Sequence, residues 1–265
     1  MPPTRRFTPE STFFDPGYCE EYGQRISNAG NPDLSGPERF GTLSFTTALQ
    51  HSVNAVFCNI GKTIGAGAIL DQAKKFGFYS VPPLETPLDE REASGLVEHG
   101  KLFDPSNPAT QVDPGRLAFG QEHLLATPLQ MAMVAATVAN GGVLMRPHVV
   151  ARIESPGGRT VTRSHAEKLD RAIKPRTAQE LTAMMEAVVT GGTGTAAQIP
   201  GVRVAGKTGT AETGVAGRYT AWFIAFAPAD HPRVAVAVVV ENGGFGGKSA
   251  APIAKTIMQA ILRRR

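Results

Sequence analysis

The sequence predicts an α/β (α+β) fold, in which an antiparallel sheet is flanked by helices and lies beside a helical lobe. Three apolar runs follow one another near the C-terminus, at residues 202–212, 219–227 and 233–240, with short turn-forming segments between them. Successive strands joined by short turns pair in antiparallel fashion. A last apolar pattern, at residues 250–264, has helical spacing and predicts a helix that covers one face of the sheet.

Helical spacing also predicts the helical lobe. Residues 42–76 indicate two or three short helices that end at Gly77, and longer helices are expected over residues 129–138 and 177–189. The residues expected to face the core are Val56, Ile60, Ile64, Leu129, Met133, Ala136, Val138, Leu181, Met184, Met185, Val188, Ile253, Ile257, Ile261 and Leu262.

Two further stretches complete the prediction. Residues 80–115 are rich in proline and indicate a long irregular segment, which we expect near a ligand cleft because such loops often carry function. Auxiliary strands are expected around residues 148–153 and 160–163. The predicted organisation is one domain with a helical lobe over residues 42–145 and a sheet lobe over residues 146–265.

Composition and charge exclude several classes of protein. The chain has 265 residues, 42% of them hydrophobic, and a net charge of +4, so it can bury a substantial core. Its basic residues are scattered except at the C-terminal triplet Arg263, Arg264 and Arg265, which is no basic stripe for nucleic acid. No apolar run approaches the roughly 18 residues of a membrane span, and no secretory signal is recognised.

The cysteines and histidines give little evidence of a bound group. Cys19 and Cys58 could form a disulfide in an oxidising compartment, but Cys58 lies in an apolar run, which favours a buried free thiol. The six histidines are dispersed, and the chain has neither C-x-x-C nor H-x-x-x-H spacing. We therefore expect no metal site and no cofactor.

Residues 201–212 support two competing interpretations. Counted from Gly201, they fit the phosphate-loop pattern G-x-x-x-x-G-K-[ST], which implies nucleotide binding through residues 201–208. Counted from Lys207, they give a Lys-Thr-Gly strand motif. A phosphate loop must open directly into a helix, whereas residues 202–205 alternate as in a strand and a glycine-rich turn follows residue 212. The strand interpretation is therefore favoured.

A second short motif accompanies Lys207-Thr208-Gly209. Ser52-Val53-Asn54 is a Ser-x-Asn tripeptide followed by an apolar helical run. With their flanking sequences, the two motifs make almost the whole chain resemble the class B penicillin-binding proteins, the transpeptidases that cross-link peptidoglycan. The flanks that carry the resemblance are residues 119–121, 126–132, 139–142, 191–196, 205–212, 221–228 and 245–247.

The resemblance implies a penicillin-binding protein/serine β-lactamase-like fold and a catalytic role for three residues. Ser52 would relay a proton to the leaving amine, and Asn54 would hold the amide carbonyl of the substrate. Lys207 would keep a positive charge near Ser52 and the substrate carboxylate.

It also implies substrate-binding roles on the same strand. Thr208 and Thr210 would bind the substrate carboxylate through their hydroxyls, and the backbone N–H of Thr210 would supply part of the oxyanion hole. Gly209, with no side chain, would let the substrate backbone lie against the strand.

One family element, the nucleophilic serine of a Ser-x-x-Lys motif, is missing. No serine of this chain has a lysine three residues further on. Residues 9–18 resemble the family segment that follows the nucleophile helix. We therefore expect residues 1–265 to be one transpeptidase domain lacking its N-terminal part, with an incomplete sheet and no activity as an isolated chain.

The family also suggests partners and a location. The expected partners are the peptidoglycan stem peptide, β-lactam antibiotics and cell-division or elongation proteins, at the extracytoplasmic face of the bacterial membrane, with no anchor in this chain and no nucleic acid. The alternatives are a serine β-lactamase-related protein and, from another class, the nucleotide-binding protein. The first is disfavoured because residues 127–130 and 192–195 resemble transpeptidases.

Overall fold

The computed structural model describes residues 7–29 and 38–263. Within those ranges the chain forms eight α-helices and fourteen β-strands. Helices α1 to α8 span Phe45–His51, Asn54–Ile64, Ala66–Lys75, Pro108–Gln111, Pro114–Ala118, Pro128–Ala139, Pro175–Gly191 and Gly246–Arg263. Strands β1 to β14 span Thr12–Asp15, Tyr18–Glu21, Gln24–Ser27, Gly41–Ser44, Gly95–Glu98, Lys101–Leu102, Leu124–Leu125, Val143–Met145, Arg152–Glu154, Thr160–Arg163, Lys168–Arg171, Ala205–Glu212, Tyr219–Ala227 and Val234–Val240.

The central sheet consists of β12, β13 and β14 in that order, and both pairings are antiparallel. Lys207 pairs with Ile224 across β12 and β13, and Phe223 pairs with Val238 across β13 and β14. The predicted succession of three antiparallel strands is confirmed. The first strand begins at Ala205 rather than at residue 202, because Val202 forms a separate bridge with Ile199.

Helices cover both faces of this sheet. Strand side chains alternate between faces, so Phe223 and Phe226 of β13 point in opposite directions, and both are fully buried. Phe223 packs in one cluster with Met258 of α8. Phe226 packs in another cluster with Val138 of α6 and Met185 of α7. Packing on both faces of the sheet therefore fixes the position of its edge strand β12.

The predicted core face of the C-terminal helix was wrong at three of its four residues, and only Leu262 packs against the core. Ile253, Ile257 and Ile261 are 44%, 38% and 41% exposed, whereas the residues buried against the sheet include Ala254 and Met258. The alanines of α8 let the helix approach the sheet closely, and this rotates the isoleucines to its flank. Those three isoleucines form an exposed apolar stripe on α8.

We expect this stripe to make the isolated chain bind a hydrophobic dye or aggregate. Each Å² of apolar surface left in water forgoes about 25 cal/mol of stabilisation. Replacing the three stripe isoleucines with glutamine should lower dye fluorescence. Replacing Ile153 and Val161, which are also exposed, with glutamine should leave most of the dye fluorescence unchanged. A monomer that melts cooperatively and binds no dye would contradict the expectation.

The helical lobe agrees with most of its prediction. Helices α1, α2 and α3 occupy residues 45–75, and Gly77 follows them with a φ of +94°. Helices α6 and α7 fall where the longer helices were expected, with Met133, Val138, Met184, Met185 and Val188 buried. Ile64 and Ala136 are exposed instead of buried; Ile64 is the last residue of α2. No helix in the described ranges is long and apolar enough to cross a bilayer.

The proline-rich segment packs on the first helices, next to residues that line the cleft. Residues 80–115 do contain only short elements, and β5 pairs with β6 and β7. Leu96 and Val112 pack against Leu70 of α3, so the segment covers the helical lobe. The cleft described below is lined by residues outside this segment, but the segment lies directly behind them. Val97 and Asp113 donate backbone hydrogen bonds to the cleft residues His123 and Glu122, in agreement with the expected proximity. The auxiliary strands near residues 148–163 are confirmed as the β9–β10 pair.

The favoured free thiol was also wrong. Cys19 of β2 and Cys58 of α2 form a disulfide across 39 residues of sequence, with their Cα atoms 6.3 Å apart. The β2–β3 hairpin packs on α2 and brings the two buried sulfurs together. An apolar setting suits a disulfide as well as a thiol, so local sequence could not distinguish them.

Candidate active site

A cleft of about 1530 Å³ opens between the turn that joins α1 to α2 and the edge strand β12. The structure brings every sequence-predicted site residue to this cleft: Ser52, Asn54, Lys207, Thr208, Gly209 and Thr210 all line it. The two motifs are therefore neighbours in space, although Ser52 and Lys207 are 155 residues apart in sequence.

Lys207 makes the direct link between the motifs. Its Nζ donates a hydrogen bond of 2.8 Å to Ser52 Oγ and one of 2.9 Å to its neighbour's carbonyl, Thr208 O. Ser52 ends α1 with φ 57° and ψ 49°, in the left-handed region. A non-glycine residue rarely adopts this conformation, and such strain is concentrated at functional sites. The strained turn presents the Ser52 hydroxyl to Lys207.

The environment of Lys207 alters its proton affinity. Loss of hydration on burial lowers the pKa of its ammonium to about 8, because the charged form is disfavoured away from water. A lysine with a lowered pKa gives up its ammonium proton more readily near pH 7 than an ordinary lysine does. The Lys207–Ser52 pair is thus suited to proton relay.

The same shift predicts a pH-dependent effect on stability. The folded pKa lies below the ordinary value of 10.5, so burial of the charge costs stability at pH 7, and this cost disappears as pH rises from about 8 to 10.5. Lys207→Met should therefore raise the free energy of unfolding by about 3 kcal/mol at pH 7, and far less at pH 10.5. Urea unfolding at both pH values measures this, with the exposed lysine variant Lys101→Met as control. An equal effect at both pH values would contradict it.

Thr208 and Thr210 of β12 each form a hydrogen bond with another segment, Thr208 with the loop that follows α7 and Thr210 with the start of α8. Thr208 Oγ1 lies 2.6 Å from Thr193 Oγ1, and Thr210 Oγ1 accepts a bond from Gly246 N at 3.4 Å. Thr208 and Thr210 both line the cleft, as Lys207 does. Two hydroxyls and an adjacent ammonium form a suitable binding surface for a carboxylate.

Gly209 has a structural reason to lack a side chain. An added Cβ would lie 3.0 Å from the Cβ of Trp222, its partner across the strand pair. The glycine therefore permits cross-strand packing, in addition to the substrate contact expected from sequence.

Some cleft residues were not singled out from sequence. Thr193, Tyr219, Phe245 and Lys248 also line the cleft. The rings of Tyr219 and Phe245 stack with centroids 6.3 Å apart, and Lys248 Nζ lies 5.9 Å from the Phe245 centroid. Thr193 and Phe245 lie in segments that contributed to the resemblance, but short glycine-rich loops have no periodicity that assigns a role to one side chain. Tyr219 begins β13 and Lys248 lies in the first turn of α8, and neither position carried a signal of its own.

The phosphate-loop interpretation was wrong. Lys207 and Thr208 lie in the middle of β12, whereas a phosphate loop would place them where a helix begins. The Lys207 ammonium is engaged with Ser52, and the strand continues to Glu212.

Sequence comparison finds relatives that agree with this geometry. A profile of the family described as "Penicillin binding protein transpeptidase domain" matches residues 4–259. The peptidoglycan D,D-transpeptidase PbpA of Mycobacterium tuberculosis is 40% identical over 234 residues, covering 84% of this chain and 44% of that protein. Stage V sporulation protein D of Bacillus subtilis is 31% identical over 264 residues, covering 94% of this chain and 38% of that protein. The chain thus spans less than half the length of these relatives.

Solved structures give the same result for the fold. The D,D-transpeptidase domain of a peptidoglycan glycosyltransferase from Eggerthella lenta superposes with a TM-score of 0.80 at 31% identity, covering 96% of this chain and 60% of that one. The penicillin G acyl-enzyme complex of penicillin-binding protein A from M. tuberculosis gives a TM-score of 0.77 at 35% identity, covering 97% of this chain and 55% of that one. The fold is the penicillin-binding protein/β-lactamase-like fold predicted from sequence.

Proposed function

The chain belongs to the penicillin-binding protein transpeptidase family, in its class B branch, and on that premise we propose that it supplies the Ser-x-Asn and Lys-Thr-Gly parts of a D,D-transpeptidase site. The substrate is the stem peptide of peptidoglycan, and β-lactams are its inhibitors. The reaction is acyl transfer through a serine, and the site faces the extracytoplasmic side of the bacterial membrane.

One observation carries the proposal. The 2.8 Å bond from Lys207 Nζ to Ser52 Oγ joins two motifs that are 155 residues apart in sequence. Each tripeptide is common by chance. Their meeting in one cleft, with a lysine whose pKa is lowered to about 8, is an arrangement that proton transfer requires.

Each site residue has a separate role in the proposed acyl transfer. Ser52 relays a proton to the leaving nitrogen, and Lys207 sets the protonation state of that relay. Asn54 holds the amide carbonyl of the substrate. The substrate carboxylate binds the hydroxyls of Thr208 and Thr210, which face the cleft beside Lys207.

The proposal includes inactivity of the chain by itself. Acyl-enzyme formation needs an attacking serine and a base for its hydroxyl. Within this sequence, no serine has a lysine three residues on. The nucleophile must come from a segment that carries Ser-x-x-Lys and packs into the cleft between Ser52 and β12.

Complementation tests this function. The chain is co-expressed with a family-like fragment that carries a Ser-x-x-Lys helix, and the pair is incubated with fluorescent penicillin. We expect a covalent adduct on the added fragment and none on these 265 residues. A fragment whose nucleophilic serine is replaced by alanine is the control. A pair that co-purifies but forms no adduct would refute the proposed site.

A further inference from the structure

Two buried polar residues lie close to the Ser-x-Asn turn, and one of them, Asn28, also lines the cleft. Asp15, the last residue of β1, is 1% exposed, and Asn28, which follows β3, is 6% exposed. Burying a carboxylate or an amide is costly unless its hydrogen bonds are satisfied. The hydrogen-bond partners of Asp15 and Asn28 therefore show which part of the structure these two buried groups stabilise.

Asp15 fixes the orientation of Asn28. The Asp15 carboxylate accepts bonds from Asn28 Nδ2 at 2.9 and 3.1 Å. It also accepts bonds from the backbone N–H groups of Gly17, at 2.8 Å, and Phe40, at 3.0 Å. Asn28 Nδ2 donates in addition to Glu38 O at 2.9 Å. With its NH₂ group committed, the Asn28 amide can point its oxygen in only one direction.

That oxygen reaches the start of α2. Asn28 Oδ1 accepts the backbone N–H of Ala55 at 2.9 Å. The first N–H groups of a helix have no partner within the helix, and Val53, the N-cap of α2, provides no side-chain cap. Asn28 therefore caps α2 from a distant segment.

Ser27, which precedes Asn28, also binds the first turn of α2. Ser27 O accepts a bond of 3.2 Å from Asn54 Nδ2. The consecutive residues Ser27 and Asn28 thus hold the consecutive residues Asn54 and Ala55. Just before them, Ser52 adopts its left-handed conformation, and strained conformations persist only where the surroundings determine them.

We infer that Asn28, oriented by Asp15, is a positioning residue that sets the place of Ser52 and Asn54 relative to Lys207. The inference rests on the proposed function, because it assigns Asn28 its effect through those residues. Asn28 acts by fixing the first turn of α2, and so the distance between Ser52 Oγ and the Lys207 ammonium.

The first test uses this chain alone and follows the Lys207 ammonium by NMR. In Asn28→Ala, the turn loses its cap and water gains access to the ammonium, so the titration midpoint of Lys207 should rise by roughly one pH unit or more. Ser27→Ala leaves the bond from Asn54 to the backbone carbonyl of residue 27 in place and should shift the midpoint less. Met258→Ala opens the α8 core instead, since Met258 is fully buried in the α8 core cluster, and should leave the midpoint unchanged.

The second test uses the complemented pair. Asn28→Ala should slow penicillin acylation of the added fragment about tenfold or more, because a displacement of about 1 Å can cost that much, whereas Met258→Ala should not. An unchanged Lys207 midpoint in Asn28→Ala, or an equal shift in Met258→Ala, would overturn the inference. If the wild-type pair forms no adduct, the proposed function fails, but the titration of Lys207 still decides the positioning role.

Discussion

Ser52→Ala and Lys207→Ala should each slow penicillin acylation of the complemented pair by about 10²-fold or more. Ser52→Ala removes the hydroxyl that accepts from Lys207 Nζ at 2.8 Å, and with it the proton path to the leaving nitrogen. Lys207→Ala removes the only charge of the Lys-Thr-Gly motif. The measurement is the second-order rate constant of adduct formation with fluorescent penicillin.

The effects of Ser52→Ala and Lys207→Ala on the acylation rate should not be additive in the double variant. Residues that act as one relay give strongly non-additive effects, because removing either one already breaks the path. Ser52→Ala/Lys207→Ala should therefore be nearly as slow as the slower single variant. Fully multiplicative effects would show that the two side chains act independently, and the proposed relay would then be wrong.

Gly201 provides the matched control. Only the phosphate-loop interpretation requires a glycine there. Gly201 has a φ of +74°, and no atom lies within 4 Å of the point that a Cβ would occupy, so asparagine, which tolerates this conformation, can replace it without a clash. Gly201→Asn should leave acylation unchanged. Loss of acylation in Gly201→Asn together with full acylation in Ser52→Ala would contradict the proposed relay.

The sheet was predictable because its signal is local. Alternating apolar residues with short turns between them define β12, β13 and β14, and the strand Tyr219–Ala227 has the predicted bounds. The contact between Ser52 and Lys207 was not predictable in this way. No periodicity links residues 155 positions apart, and only the resemblance to a family of known arrangement placed them together.

The errors have a common physical cause. Apolar periodicity shows that a helix has an apolar face, but α8 has two adjacent ones, and the alanine face rather than the isoleucine face packs on the sheet. The choice depends on how closely the sheet lets the helix approach. Likewise, the bonding of Cys19 and Cys58 depends on how the β2–β3 hairpin packs on α2, which neither cysteine's neighbours in sequence specify.

The isolated chain should form no covalent adduct with penicillin. In the proposed function, its cleft supplies the proton relay and the hydroxyls for the carboxylate, and no serine in this sequence has the lysine three residues on that the proposed nucleophile requires. Loss of a nucleophile together with its base removes nearly all catalysis. After incubation with fluorescent penicillin and denaturation, the labelled fraction should stay at the level of a Lys207→Ala chain treated in parallel.

Ser52 is the serine that most directly challenges this expectation, because it already has a lysine partner with a pKa lowered to about 8. Nucleophilic attack also requires oxyanion donors placed about 3 Å from the reacting carbonyl oxygen. In the proposed site those donors surround the missing nucleophile rather than Ser52. Mass spectrometry of peptides from the penicillin-treated chain shows whether Ser52 is acylated or unmodified. A stoichiometric acyl group on Ser52 would make Ser52 and Lys207 a nucleophile and its base, and the proposed role of Ser52 as a proton relay would then be wrong.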